Sequence, residues 1–426
     1  MGVCHRLVLA GTCSLCAQQS DDPAAVVLHA RERVMETVQH LPRYTCVQTV
    51  DRRIYKPDRA PRIPGSCDDL IAQKRRGLMP VILVATDRLR LNVAVGENGR
   101  EIFSWAGDDR LESSRIDNLV PTGPLGTGPF GPLLIDTFGQ AAIAFNYRSQ
   151  DEYWYRVPKN MSHYRLLIGN SGDTFAYDGK VHIDPQTAEL KDMTARTGAL
   201  PKESGVCEAT TSIAFQRVRI GEGEYLLPRE SRLRFTNKTR GESENVTGYS
   251  SCQEYRAEAT IRFEESEGRL TSATHAVGLL APLSAGIAMS LALETPIYTS
   301  TSAAGDVLTA KLRSAVLDKA SGRSFPAGSL VRGRIERLER HIEYPQYFLI
   351  AIEFHSIEAD GGQHPFTAHF SKQMQKENQV PFAEEKRDYF VVRSHAGKEP
   401  ADSFIFKSKA ADYAMPRGFA MDWVTN

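Results

Sequence analysis

The chain has 426 residues, with 52 basic and 52 acidic side chains, so nothing in its overall charge draws it toward nucleic acid or an anionic membrane surface. Hydrophobic residues make up 41% of it, which supplies adequate cores, and the length predicts two or three domains rather than one. Neither figure selects a reaction.

Residues 1–17 read as a signal segment. His5 and Arg6 give a weak basic start, Leu7 to Leu15 form an apolar stretch too short to span a bilayer, and Cys16 or Ala17 marks the cleavage point. Cys13 and Cys16 raise the alternative of a lipid anchor, with Leu9-Ala10-Gly11 as the front of a lipobox. Thr12 precedes Cys13 and Leu15 precedes Cys16, where a small residue is wanted, so plain export to the periplasm, the cell surface or the medium is the expectation. Four further cysteines, Cys46, Cys67, Cys207 and Cys252, form an even set without C-x-x-C spacing or a neighbouring histidine. That pattern predicts two disulfides and an oxidising compartment. Of the three possible connectivities, pairing of neighbours (Cys46 with Cys67, Cys207 with Cys252) is expected, closing loops of about 20 and 45 residues at about 3–4 kcal/mol each.

After the leader, Asp21, Asp22 and Pro23 suit a helix cap and first turn, and Val27, Ala30, Val34, Val38 and Leu41 recur at helical spacing until Pro42. Beyond Pro42 the apolar residues alternate. Leu89, Leu91, Val93 and Val95 run into the turn Gly96-Glu97-Asn98-Gly99, and Ile102 to Trp105 return as a partner strand. The same pattern recurs at 153–157, 163–168, 173–183, 213–220, 232–236 and 255–263, which predicts antiparallel strands joined by short turns. Lys74-Arg75-Arg76 reads as a solvated loop. The run 121–139 is rich in glycine and proline, lacks the Lys-Ser/Thr of a P-loop, and is expected to be a lid or crossover ending in an apolar turn at 133–138. The apolar stretch 276–293 carries Pro282 and Gly286 in its middle, so it predicts a linker entering a strand rather than a membrane helix.

The expected organisation is therefore a signal segment (1–17), a curved antiparallel sheet with an N-terminal helix (18–268), a linker (269–280) and a small β-barrel or sandwich (281–426). The fold class is mainly β, of α+β type. In the last third, Leu293-Glu294-Thr295-Pro296-Ile297, Ala304-Gly305-Asp306-Val307, Phe325-Pro326-Ala327-Gly328-Ser329 and Met415-Pro416-Arg417-Gly418-Phe419 stand in an order that resembles the small β-barrel of TrbI-like conjugal-transfer outer-channel proteins. The resemblance implies the barrel alone, because the anchor and proline-rich stalk of those proteins are missing from the pattern. The helix at 24–41, the strand Tyr44 to Val50 and the run Tyr177 to Leu190 resemble the lipoprotein-carrier (Lol-type) half-barrel. That likeness implies a helix laid on a curved sheet whose concave face takes acyl chains. The chain as a whole is similar to exported proteins common in soil acidobacteria.

No catalytic constellation is recognisable. Gly169-Asn170-Ser171-Gly172-Asp173 lies between two alternating stretches and reads as a hairpin turn rather than a nucleophile turn. His364 and His369 are five positions apart, which on a strand puts them on opposite faces, so no metal site is expected, and no cofactor. The candidate ligand surface is the aromatic set Tyr153, Trp154, Tyr155, Tyr164, Phe175 and Tyr177, whose alternate members would line one face. The same residues also read as core beneath the N-terminal helix. The sequence thus predicts a non-catalytic exported binding protein for a lipid, lipoprotein or peptide, with an envelope structural or assembly protein as the alternative. Nucleic acid is not an expected partner, and no membrane-spanning helix is expected in the mature chain.

Overall fold

The computed structural model describes residues 22–59, 66–96, 101–108, 111, 116–120, 131–168, 171–198, 200–201, 204–255, 280–359, 361–371, 389–392 and 402–426. The expected signal segment with Cys13 and Cys16, the turn at 97–99, the glycine-rich run 121–130 and linker residues 269–279 lie outside the described residues. The protein is mainly β, with one 19-stranded antiparallel sheet that does not close into a barrel. Among the described residues no helix is long and apolar enough to cross a membrane.

Helix α1 (Pro23–His40) starts where the Asp22 carboxylate accepts the Ala24 N–H at 3.0 Å, and ends at Leu41, which Pro42 holds extended. Next in the chain come β1 (Tyr44–Pro57), α2 (Cys67–Arg75), β2 (Val81–Val95), β3 (Glu101–Trp105), the single turn α3 (Ile116–Leu119) and α4 (Pro132–Phe138). The expected apolar turn at 133–138 is thus a short helix, and Lys74-Arg75, expected in a solvated loop, end α2. Lys74 is fixed there by Glu242, 3.1 Å away. The sheet continues with β4 (Phe145–Ser149), β5 (Glu152–Val157), β6 (Arg165–Ile168), β7 (Ser171–Thr174), β8 (Tyr177–Ile183) and β9 (Leu190–Thr197). The long strands β10 (Val206–Ile220), β11 (Gly223–Asn237) and β12 (Glu242–Glu254) complete this half. Spatial order is β4-β5-β8-β9-β10-β11-β12-β1-β2-β3, so β1 is inserted between β12 and β2.

That insertion corrects the disulfide pairing. Both pairs of neighbours are replaced by long-range bonds, Cys46–Cys252 and Cys67–Cys207. Cys46 meets Cys252 because β1 runs antiparallel to β12, with Thr45 opposite Gln253 and a bulge beside it. Cys67 opens α2, which packs on β10 where Cys207 sits. Neighbour pairing is excluded because Cys46 and Cys67 stand on different elements, one bound to β12 and the other to β10.

The second half comprises β13 (Ala288–Leu293), β14 (Ile297–Tyr298), β15 (Val307–Leu312), β16 (Val316–Asp318), β17 (Arg323–Phe325), β18 (Leu330–His341) and β19 (Tyr347–Ala359). After these come β20 (Gly362–Pro365), β21 (Ala368–Phe370), β22 (Tyr389–Val392), β23 (Ser403–Lys407), β24 (Ala414–Met415) and β25 (Ala420–Thr425). The last strand pairs with the first of this half, Met421 opposite Leu291. The segment β20–β21 bonds to β19 at one end and to β25 at the other, so these strands curl round one core that includes Phe354, Phe370, Phe404 and Trp423. Two further cores lie in the first half, one under α1 and α4 and one against β1, β2 and β3.

The halves share hydrogen bonds. β2 pairs with β18 (Asp87 opposite Glu339, Ala85 opposite His341), and Ala304 forms a parallel bridge with Leu89, donating to the Arg88 carbonyl at 2.8 Å and accepting from the Arg90 N–H at 2.7 Å. Gly305 makes this approach possible. Its φ is +99°, and a Cβ there would stand 2.2 Å from the Arg90 carbonyl oxygen and 2.6 Å from the Trp105 ring.

Candidate functional site

Strand alternation splits the aromatic candidates. Tyr153, Tyr155, Tyr164, Phe175 and Tyr177 are all buried in the core that α1 covers with Val26, Ala30 and Val34 and α4 with Leu133, Leu134 and Phe138. Three of their polar tips are satisfied inside: Tyr155 donates to the Thr194 carbonyl at 2.9 Å, the Tyr164 and Thr211 hydroxyls are 2.5 Å apart, and Tyr177 and Thr137 are 3.3 Å apart. Burial pushes all three phenols well above the ordinary tyrosine value. Gly179, opposite Tyr155, lets the Tyr155 hydroxyl reach the Thr194 carbonyl, since a Cβ at Gly179 would collide with that carbonyl and stand 3.1 Å from the hydroxyl oxygen. Trp154 points the other way, 41% exposed, with its indole N–H on Glu152 at 2.7 Å. The six residues therefore do not form one surface, and the face carrying five of them is occupied by the protein's own helices.

Two other candidates resolve into structural roles. Ser171 is a strand residue paired with Ile168. His364 is buried with Nδ1 2.9 Å from the Ala281 carbonyl oxygen, whereas the His369 Nδ1 lies 2.5 Å from Asn426 Oδ1. No group of metal-ligating side chains of sufficient size occurs among the described residues. An Asp–His pair that the sequence did not suggest joins buried Asp136 to His163 at 2.6 Å, and the second Asp136 oxygen accepts the His163 N–H at 2.6 Å. It ties the segment after β5 to α4.

Among the described residues, an open site lies instead at the seam between the halves. A cavity of about 450 Å³ is walled by the apolar side chains of Leu89, Trp105, Leu119, Val120, Ala304 and Leu338. Leu89, Val120 and Ala304 belong to the core against β1–β3, and Leu338 to the core of the second half, so the cavity sits where the two cores approach without merging. Its charged wall is set by strand pairing. Asp87 and Glu339 stand directly opposite one another, an arrangement of like charges that requires neutralisation. Arg52 clasps Asp87 with two hydrogen bonds of 2.7 and 2.6 Å. Arg337 donates to Glu339 at 2.6 Å, and His341 lies 2.9 Å from its other oxygen. Burial pushes the Asp87 carboxyl up against the pull of Arg52, whereas for Glu339 burial is outweighed by His341 and Arg337, which leave it low.

Glu336 differs from these neighbours. Ile335 pairs with Ile352 and Arg337 with Ala351, so Glu336 is the extra residue of a β-bulge with nothing opposite it. It is half-buried on the cavity wall and makes no hydrogen bond or ion pair with any described residue. Burial foremost, then the nearby Glu353 carboxylate, hold its carboxyl above the ordinary range against the weaker pull of Arg334 and Arg337. The sequence carried a signal for this: Val331, Gly333 and Ile335 keep an inward alternation that resumes at Leu338, one position out of phase. Comparison with protein-family models, curated proteins and solved structures finds no match to this chain.

Proposed function

We propose that the protein is an exported, non-catalytic binding protein of the cell envelope, working in the periplasm or at the cell surface, and that its ligand occupies the seam cavity. The observation that carries this reading is the contrast between two surfaces. The aromatic face is filled by α1 and α4, whereas the seam keeps about 450 Å³ walled by apolar side chains, a volume within the range of small-molecule sites. Two disulfides support an oxidising compartment. Of lipid, lipoprotein and peptide, the volume favours a lipid chain or a similar small apolar group. Native mass spectrometry of the protein from its own envelope tests this, with Leu119→Trp filling the cavity from a half-buried wall position. The expected result is a co-purified small apolar ligand that the variant lacks. An unliganded wild type that also binds no apolar probe overturns the reading.

The alternative, an envelope assembly protein acting through protein contacts, is supported by one exposed apolar group. Ile54 (51% exposed) and Ile82 (42%) lie on the paired ends of β1 and β2, beside the β18–β19 turn that carries Tyr344 (93%). Chemical crosslinking that captures a partner through this end, with the cavity empty, would favour that account.

A further inference from the structure

We infer that the seam cavity selects a small amphiphile bearing a protonated amine, and that Glu336 is the group that recognises it. The inference rests on the cavity being the ligand site and adds the chemistry of what it takes. The wall brings three arginines, Arg52, Arg334 and Arg337, against four carboxylates, Asp87, Glu336, Glu339 and Glu353. Every arginine is committed: Arg52 to Asp87, Arg337 to Glu339, and Arg334 to Asp108 at 2.9 Å and Glu353 at 3.9 Å. The remaining charge is the Glu336 carboxylate. Because the bulge releases it from the strand ladder, no residue opposite it on β19 supplies a cation, and Arg334 and Arg337 on its own strand pull on it without bonding to it, each being bonded to another carboxylate. A carboxylate half-removed from water without a donor is costly, and a ligand that brings a cationic donor removes that cost. An anionic head group would meet uncommitted negative charge instead. Leu89, Trp105 and Val120 offer the surface against which the apolar part of the same ligand packs. A metal ion is a poor match, since the free donor is a single carboxylate.

Calorimetric titration of the full chain with octylammonium, octanol and octanoate, below micelle-forming concentrations, tests the inference. Wild type is expected to bind octylammonium about tenfold or more tighter than octanol, with octanoate weakest. Glu336→Gln, which keeps the shape and removes the charge, is expected to bind octanol as wild type does and to lose the preference for the amine. Glu358→Gln, on the same strand as Glu353 but outside the cavity wall and paired with Arg332, is expected to keep it. Equal binding of amine and alcohol by wild type, a preference that survives in Glu336→Gln, or a preference lost in Glu358→Gln alone overturns the role of Glu336. Tightest binding of octanoate would assign recognition to the arginines and overturns it too. Failure of the cavity reading looks different: none of the three probes binds wild type, and Leu119→Trp changes nothing.

Discussion

Asp318 is a single side chain that organises a corner of the second half. Its carboxylate accepts from the Ser321 hydroxyl at 2.8 Å, the Ser284 hydroxyl at 3.1 Å and the backbone N–H groups of Ala320, Ser321 and Ser284. The Ser321 hydroxyl foremost, with Ser284 adding to it against burial, lowers its carboxyl from 3.8 to about 2. A folded value below the unfolded one means that this stabilisation is fully present above about pH 4 and is lost as pH falls through about 2. Asp318→Asn is therefore expected to melt below wild type at neutral pH, with the gap closing between about pH 4 and about pH 2. Calorimetric melting across that window checks it, and a gap independent of pH would mean that the carboxylate charge is not what holds the corner.

At the scale of elements, the two disulfides show what alternation encodes and what it omits. The inward period of β1, β5, β8 and β10 was legible because side chains on a strand alternate, and the same logic put Tyr153, Tyr155 and Tyr177 on one side. Which strand lies beside which was not legible. β1 pairs with β12 across 206 residues of sequence between Cys46 and Cys252, and no local turn signal marks a contact of that range. Helix α2 escaped notice because it has few apolar positions, with Leu70 alone buried, and its start rests on the Ser66 hydroxyl accepting the Asp69 N–H. Glu336 was only partly legible for a related reason: the broken alternation marks the bulge, but it takes the first half of the molecule to place its carboxylate in a cavity. Non-reducing peptide mapping is expected to recover Cys46 joined to Cys252 and Cys67 joined to Cys207. Each bond spans so much chain that its removal should cost up to about 5 kcal/mol. A peptide joining Cys46 to Cys67 would place β1 at a different position in the sheet.

The whole molecule turns on the seam, since both the cavity and the cohesion of the two halves are built there. Both disulfides lie within the first half, so among the described residues nothing covalent besides the chain itself joins it to the second. The bond between halves is the β2–β18 ladder, the Ala304 bridge and ion pairs at Arg90–Asp306 (2.5 Å), Arg334–Asp108 (2.9 Å) and Lys56–Glu343. These are backbone and charge contacts laid where two apolar cores approach, and they are expected to hold the halves together without the connecting chain. A protease site inserted between residues 256 and 279 is therefore expected to yield a cut protein whose two fragments still co-elute. Gly305→Ala should undo this, because a Cβ there collides with the Arg90 carbonyl and the Trp105 ring and the residue must hold φ near +99°, together costing about 2–4 kcal/mol. The cut variant should then separate into a fragment of each half on size exclusion, while each fragment keeps its β signature by circular dichroism. Separation of the cut wild-type protein would show that the seam contributes little and that the cavity exists only while the chain is continuous. Co-elution of the cut Gly305→Ala protein would move the weight of the seam from the Ala304 bridge to the β2–β18 ladder.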